Sequence, residues 1–356
     1  MQLHYVHILF TILLVTLLSC GKPDPIPTPV PSVDVLPDKA GRILIIKKSP
    51  RFEDDHTVFM GTEYAGILKS IDGGDNWSQF NTGVTHGNIP AIAISPNYGT
   101  DQTLYAGSGN AGLFRSTNRG ESWTRIGQGL PENSIQHLST TIASDERLLF
   151  TGSNIGGIYS SHDSGDTWGQ IGLSESNILL TGLPTQFETN PVIFAGSGRD
   201  GMFRSTNGGN SWDSINDGLG DTYILSIAIS PAFTDDQTLY VGTKWEGVFR
   251  STDGGDSWEK SNKGVLSKRI HALAISPNYI NDSTLFAGTV SGGIFKSTDR
   301  GQTWKTSYQG FRAINTISIS PNYQVDNRIL AGSSDGLILR SGDRGDTWKE
   351  MSLVTD

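Results

Sequence analysis

Seven evenly spaced tryptophans restrict this chain more than any other feature of its sequence. Trp77, Trp123, Trp168, Trp212, Trp258, Trp304 and Trp348 are separated by 46, 45, 44, 46, 46 and 44 residues. A period near 45 marks a chain built from stacked copies of one supersecondary unit, as in propellers and solenoids. Each tryptophan closes the same phrase, Ser-x-Asp/Asn-x-Gly-x-Ser/Thr/Asn-Trp. It reads Ser70, Asp72, Gly74, Asn76, Trp77 in the first copy and Ser251, Asp253, Gly255, Ser257, Trp258 in the fifth. Asn118 and Asn207 replace the aspartate in the second and fourth copies. The chemistry is that of a hairpin turn. Asp or Asn bonds backbone amides a few residues on, glycine supplies a positive φ, and the tryptophan opens the next strand with a large apolar face. Seven near-identical turns are fold machinery rather than a catalytic device.

Strand signals surround every box. In the second copy they are Ile92-Ala93-Ile94-Ser95-Pro96, Thr103 to Gly107, Gly112 to Ser116 and Trp123 to Ile126. Four short strands per 45 residues, with glycine-rich turns and no helical period, match one propeller blade. The expected fold is all-β: a single seven-bladed β-propeller of four-stranded Asp-box blades over residues 42–356. The first blade begins near Arg42 and the seventh ends near Ser352. Each copy holds its four strands in the same order, so the ring is expected to close by packing of blade seven on blade one. Asp55, Asp101, Asp236, Asp282 and Asp326 recur after a Ser-Pro-Asn-Tyr-type turn and read as turn caps. Arg115, Arg204, Arg250 and Arg340, with Lys69 and Lys296 as equivalents, recur just before the box and read as structural.

The N-terminal part is of another kind. Residues 8–18 form an apolar run of signal-peptide length, too short for a bilayer span. Leu17-Leu18-Ser19-Cys20 follows, resembling a bacterial lipobox, although no Lys or Arg precedes the run. Cys20 is the only cysteine, which suits acylation better than a disulfide. Residues 1–19 are thus expected to be a lipoprotein signal peptide. Residues 20–41 are expected to be a lipidated cysteine and a proline-rich linker, semi-rigid and extended. The expected location is a bacterial cell envelope by lipid anchor, at the outer membrane in a Gram-negative cell, or else secretion. A net charge of −9 argues against nucleic-acid binding and leaves the anchor as the only membrane contact.

The boxes, with Ala274-Ile275-Ser276-Pro277-Asn278-Tyr279 and Gly293 to Asp299, resemble the Asp-box (BNR) propellers across residues 42–352. That superfamily includes sialidases, xyloglucanase-type glycosidases, sortilin-type receptors and the photosystem II stability/assembly factor family. The last of these is similar in size, a single ring without a second domain. The resemblance implies a fold and leaves the function open. A sialidase would carry an Arg-Ile-Pro strand start, which is lacking here. Xyloglucanase-type enzymes form their cleft between two tandem propellers, and one is present.

Positions that vary between blades are the ones free for function. Second-to-third strand loops and fourth-to-first connections open on one face, with the boxes on the other. Tyr64, Arg199, Lys244, Trp245, Arg269 and Arg312 fall on the first face and are the expected binding residues. Trp245 is the one tryptophan outside the boxes, and aromatic anchors dominate recognition. Lys244, Arg269 and Arg312 form a basic patch suited to a carboxylate-rich partner. The expected function is non-enzymatic: a monomeric, membrane-anchored ring that binds a protein partner of the envelope in an assembly or scaffold role. The alternative is a glycan-binding protein or glycoside hydrolase, with Trp245 and Tyr64 as sugar platforms and Glu246 and Asp200 as acid and base. Glu63 and Asp335 complete the rim carboxylates. No cofactor or metal site is expected, because the histidines lack metal-ligand spacing.

Overall fold

A computed structural model of the chain describes residues 40–131, 135–143 and 146–353. The expected signal peptide, Cys20 and nearly all of the linker lie outside the described residues. From Ile43 to Ser352 the chain forms seven four-stranded antiparallel sheets, each built from four consecutive strands. This is the seven-bladed propeller. The first strands, such as Ile43–Lys48, Ile224–Ile229 and Ile314–Ile319, line the central channel. The second strands are the most buried, with Val58–Thr62 and Leu239–Thr243 buried throughout. Between blades, apolar faces that one sheet cannot cover alone pack into shared cores. One such core joins Phe194 and Leu180 of blade four to Phe233, Leu239 and Val241 of blade five.

The boxes are hydrogen-bonded as the sequence anticipates. In the fifth, the Ser251 hydroxyl donates to Asp253 Oδ1 at 2.7 Å and accepts the Gly255 amide at 2.8 Å. Asp253 also accepts the Ser257 amide and hydroxyl at 3.0 and 2.5 Å. The tryptophan does more than start a strand. Trp258 Nε1 donates to the Ile215 carbonyl of the preceding blade at 2.8 Å, and Trp123, Trp212 and Trp304 reach the preceding blade likewise.

The recurring cations before the box are inter-blade staples. Lys69 meets Glu121, Arg115 meets Asp166, Arg204 meets Asp256 and Lys296 meets Asp346, each acid lying in the next blade's box turn. In the box turn that follows Arg250 the equivalent residue is Gln302, not an acid, and Arg250 turns instead to Glu259 of its own blade. One expectation needs correction. Among the described residues, the first-to-second strand turns hold five one-turn helices, Phe52–Asp55, Tyr98–Asp101, Phe233–Asp236, Tyr279–Asp282 and Tyr323–Asp326, where the sequence suggested none. Four residues are too few to show a 3.6-residue period. The aspartates cap these turns as expected: Asp55 accepts the Ser49 hydroxyl at 2.7 Å and the Thr57 amide at 2.9 Å.

Among the described residues no strand is exchanged to lock the ring. Blade seven meets blade one through Leu330 and Ile338 packed on Ile43, Ile46 and Val58. Polar bonds reinforce this seam. Asn315 Nδ2 donates to the Ile43 carbonyl at 2.9 Å, and Lys48 Nζ donates to the Ser318 and Arg328 carbonyls at 3.0 and 3.1 Å. Arg340 pairs with Asp75 as the closing staple.

Candidate functional site

The face opposite the boxes carries every residue singled out for binding. Its loops are tied down by backbone bonds, so the side chains stand on rigid supports. The Trp245 amide donates to Asp221 Oδ2 at 2.6 Å, and the Lys244 amide donates to the Tyr223 carbonyl at 3.0 Å. The indole of Trp245 remains 61% exposed. Lys244 Nζ lies 4.0 Å from the Tyr223 ring centroid and 5.0 Å from that of Trp245, so cation–π attraction fixes the ammonium between two aromatic rings.

Most charges on this face already have partners. Arg42 binds Glu63 with its backbone amide, Nε and Nη2, and holds that carboxyl below the ordinary range. Lys260 sits 2.5 Å from Glu246 and likewise lowers its pKa, with Lys268 adding to the effect. Arg312 pairs with Asp335 and, at 3.5 Å, with Glu350, inside its own blade. Arg312 therefore does not join Lys244 and Arg269 as an open cation. Asp200 accepts the Ser197 hydroxyl at 3.4 Å. Among the described residues, no carboxylate pairs with Arg199, Lys244 or Arg269, which lie on the consecutive blades four, five and six. Arg269 Nε is buried without a hydrogen-bond partner, and burial, reinforced by the Arg269 charge, lowers the pKa of His271.

The structure thus moves the basic arc by one blade, from Lys244–Arg269–Arg312 to Arg199–Lys244–Arg269. Tyr64 stands apart on blade one, 65% exposed, beside a cavity of ≈280 Å³ with Glu63, His86 and Asn110. Exposed apolar side chains flank the arc: Leu266 and Phe311, in the connections to blades six and seven, are 81% and 94% exposed. Lys268, Leu266 and Phe311 were not among the expected binding residues, although their place in the connections was readable from the repeat.

Comparison with known proteins follows the same lines. The family described as "Photosynthesis system II assembly factor YCF48" matches residues 47–356. Among solved structures, an ancestral GH74 enzyme superposes with a TM-score of 0.70 at 17% identity, covering 90% of this chain and 47% of its own. The GH74 xyloglucanase from Xanthomonas campestris gives a TM-score of 0.66 at 16% identity, covering 86% of this chain and 52% of its own. This chain spans about half the length of those two enzymes. A structure of YCF48 bound to D1 peptide gives 0.63 at 16% identity, covering 86% of this chain and 95% of its own. Comparison with the curated proteins gives no match. At these identities the solved structures speak to the fold alone.

Proposed function

This chain belongs to the photosynthesis system II assembly factor YCF48 family, and from that premise we propose that it is a non-enzymatic scaffold that holds a segment of another protein on the face opposite its boxes. The observation that carries this reading is the arc of unpaired cations, Arg199, Lys244 and Arg269, beside the exposed Trp245. The neighbouring carboxylates Glu63, Glu246 and Asp335 are engaged by their own cations, and Asp200 and Asp221 accept bonds from Ser197 and the Trp245 amide, so Arg199, Lys244 and Arg269 are the cations this arc leaves open. A partner segment with carboxylates and one or more apolar side chains complements it: the cations steer and orient, and the indole supplies the buried anchor. The solved YCF48 complex with a D1 peptide supports a peptide as the kind of ligand. With the lipobox-like Cys20 acylated, the ring would work at the surface of an envelope membrane, its proline-rich linker setting the distance.

The test is a pull-down from the host's envelope fraction with the full chain and with a Trp245→Ala/Arg269→Ala variant. The variant is expected to fold and to lose the partner, by at least tenfold in affinity once the partner is purified. Undiminished capture by the double variant would sink the assignment of this face.

A glycan-binding or hydrolytic role is the second reading, favoured by the likeness to GH74 propellers and the exposed Trp245 and Tyr64. The lowered pKa of Glu246 weighs against its serving as a proton donor, since a general acid needs its pKa raised towards the working pH. Selective binding on a glycan array, with hydrolysis lost in Glu246→Gln and Asp200→Asn, would favour that reading over the first.

A further inference from the structure

The central channel holds one feature that the docking face does not explain. Across the seven first strands the only residues with ionisable acidic or strongly basic side chains are Lys47 and Lys48. Lys48 turns into the blade seven seam, where two carbonyls receive it. Lys47 points the other way. Strand register places it level with Ala93, Ser139, Gly182, Ala228, Ala274 and Ser318, the small residues of the other six blades. A long cation therefore stands where six blades leave room.

Lys47 lines two cavities in the half of the channel nearest the boxes, of ≈430 and ≈380 Å³. The side chain is exposed to channel solvent, and the surrounding ring of protein lowers its pKa. Among the described residues no acid pairs with it. The ≈430 Å³ cavity has mostly polar walls, with His137, Ser139, Thr140 and Thr181 beside its isoleucines; the ≈380 Å³ cavity has mostly apolar walls, among them Ile229, Leu273, Ile317 and Ile319. The nearby polar groups are already satisfied by one another. Ser139 and Thr181 hydroxyls lie 2.8 Å apart, and Thr140 donates to the Leu148 carbonyl. His137 Nδ1 accepts the Thr181 amide at 3.2 Å, and burial with Lys47 nearby brings its pKa down to about 3, so the ring is neutral and adds no second charge.

An unpaired ammonium beside an apolar wall selects its ligand by simple rules. Without a carboxylate partner among the described residues, it is matched by one negative charge. A dianionic phosphate would need several donors, and the walls provide no such set. The ≈380 Å³ cavity, mostly apolar with one cation at its edge, has the build of a small-molecule site. We propose that the box-side half of the channel binds an aliphatic monocarboxylate, its head group on Lys47 and its chain along the isoleucines.

The test is calorimetric titration of the full chain with decanoate, decan-1-ol and acetate, repeated on Lys47→Met and Lys47→Ala. Decanoate should bind at least tenfold more tightly than either the alcohol or acetate. Both variants should lose that advantage for decanoate while binding decan-1-ol as the wild type does. Comparison with the variants cancels any uptake by the apolar N-terminal run. Alanine is the residue that three other blades carry at this position, which makes that variant a sound one should methionine crowd the channel. Equal affinity of the wild type for decanoate and decan-1-ol, or variants that match the wild type on decanoate, would overturn the proposal.

Discussion

A box aspartate works as a permanent anion inside a loop of donors. At Asp163 and Asp253 burial alone pushes the carboxyl up. Hydrogen bonds from the Thr167 or Ser257 side chain and backbone, and from Ser161 or Ser251, outweigh it and hold both at about 2. Asp72, Asp299 and Asp343 are lowered for the same reason. Asn118 and Asn207 keep the amide-accepting oxygen and donate from Nδ2 to Ser122 and Ser211, each at 2.9 Å. The two box types should therefore differ in acid. An unfolded aspartate titrates near ~3.9, so the folded carboxylate's contribution is complete above that pH and is lost as the pH falls towards about 2. Asp253→Asn should change stability at pH 7 by no more than about 1 kcal/mol and should soften the loss below pH 4. Urea midpoints from pH 5 to 2.5 would decide it. Parallel curves for variant and wild type would show that the carboxylate plays no such part.

The blade joins its neighbour where the fourth-to-first connection slips under the next box tryptophan. Trp304 donates its amide to the Lys263 carbonyl at 2.8 Å, and a Cβ on Gly264, whose φ is +97°, would sit 2.1 Å from the Trp304 carbonyl oxygen. Gly264→Ala meets both a left-handed backbone and a backbone clash, and should cost roughly 2–3 kcal/mol. Gly208 is the control: φ is +70° but nothing lies within 4 Å, so Gly208→Ala should cost only about 1 kcal/mol. Thermal denaturation of the two variants checks the order, and equal losses would refute the clash. At this scale the sequence is most readable, because a repeated element is seen seven times. Boxes, strand order, turn caps and the structural cations could all be read from the repeat. What could not be read was pairing across register. Arg312 and Glu350 are 38 residues apart and meet only because the first and last strands of blade seven share a sheet end. Glu246, in the second-to-third strand loop of blade five, likewise meets Lys260 of the fourth strand only in the fold, so the open charges of the docking face emerged only from the structure. Lys47 was visible in principle, as the one long side chain in a column of small ones, once first strands are aligned.

Closure of the ring is a property of the whole molecule, and it concentrates on one side chain. Six seams form between blades consecutive in sequence. The seventh must join residues some 270 positions apart, so it bears the loop-closure entropy of the whole ring. Lys48 occupies the channel-strand position that is Ile94, Ile229, Ile275 and Ile319 in other blades. Burial brings its pKa down to about 7, partly opposed by Asp326 and reinforced by Arg328 and Arg340. A lysine lowered in the folded state disfavours folding while charged. Between about pH 7 and the unfolded value near ~10.4, the unfolded chain holds a proton that the native ring has released. Stability should therefore rise with pH through that window, by up to about 1.4 kcal/mol per unit from this group. Lys48→Ile exchanges the closing lysine for the residue other blades use and should remove that component of the slope. Lys47 is present in both proteins, and its contribution cancels in the difference. Denaturant midpoints at pH 7, 8, 9 and 10 for the two chains give the answer. A converging pair of curves, with the variant ahead at pH 7 and its lead shrinking by pH 10, identifies Lys48 as a seam whose charge opposes closure. A constant offset would mean that the two carbonyl bonds keep the ammonium charged throughout, and that closure rests on the apolar packing of Leu330 and Ile338 alone.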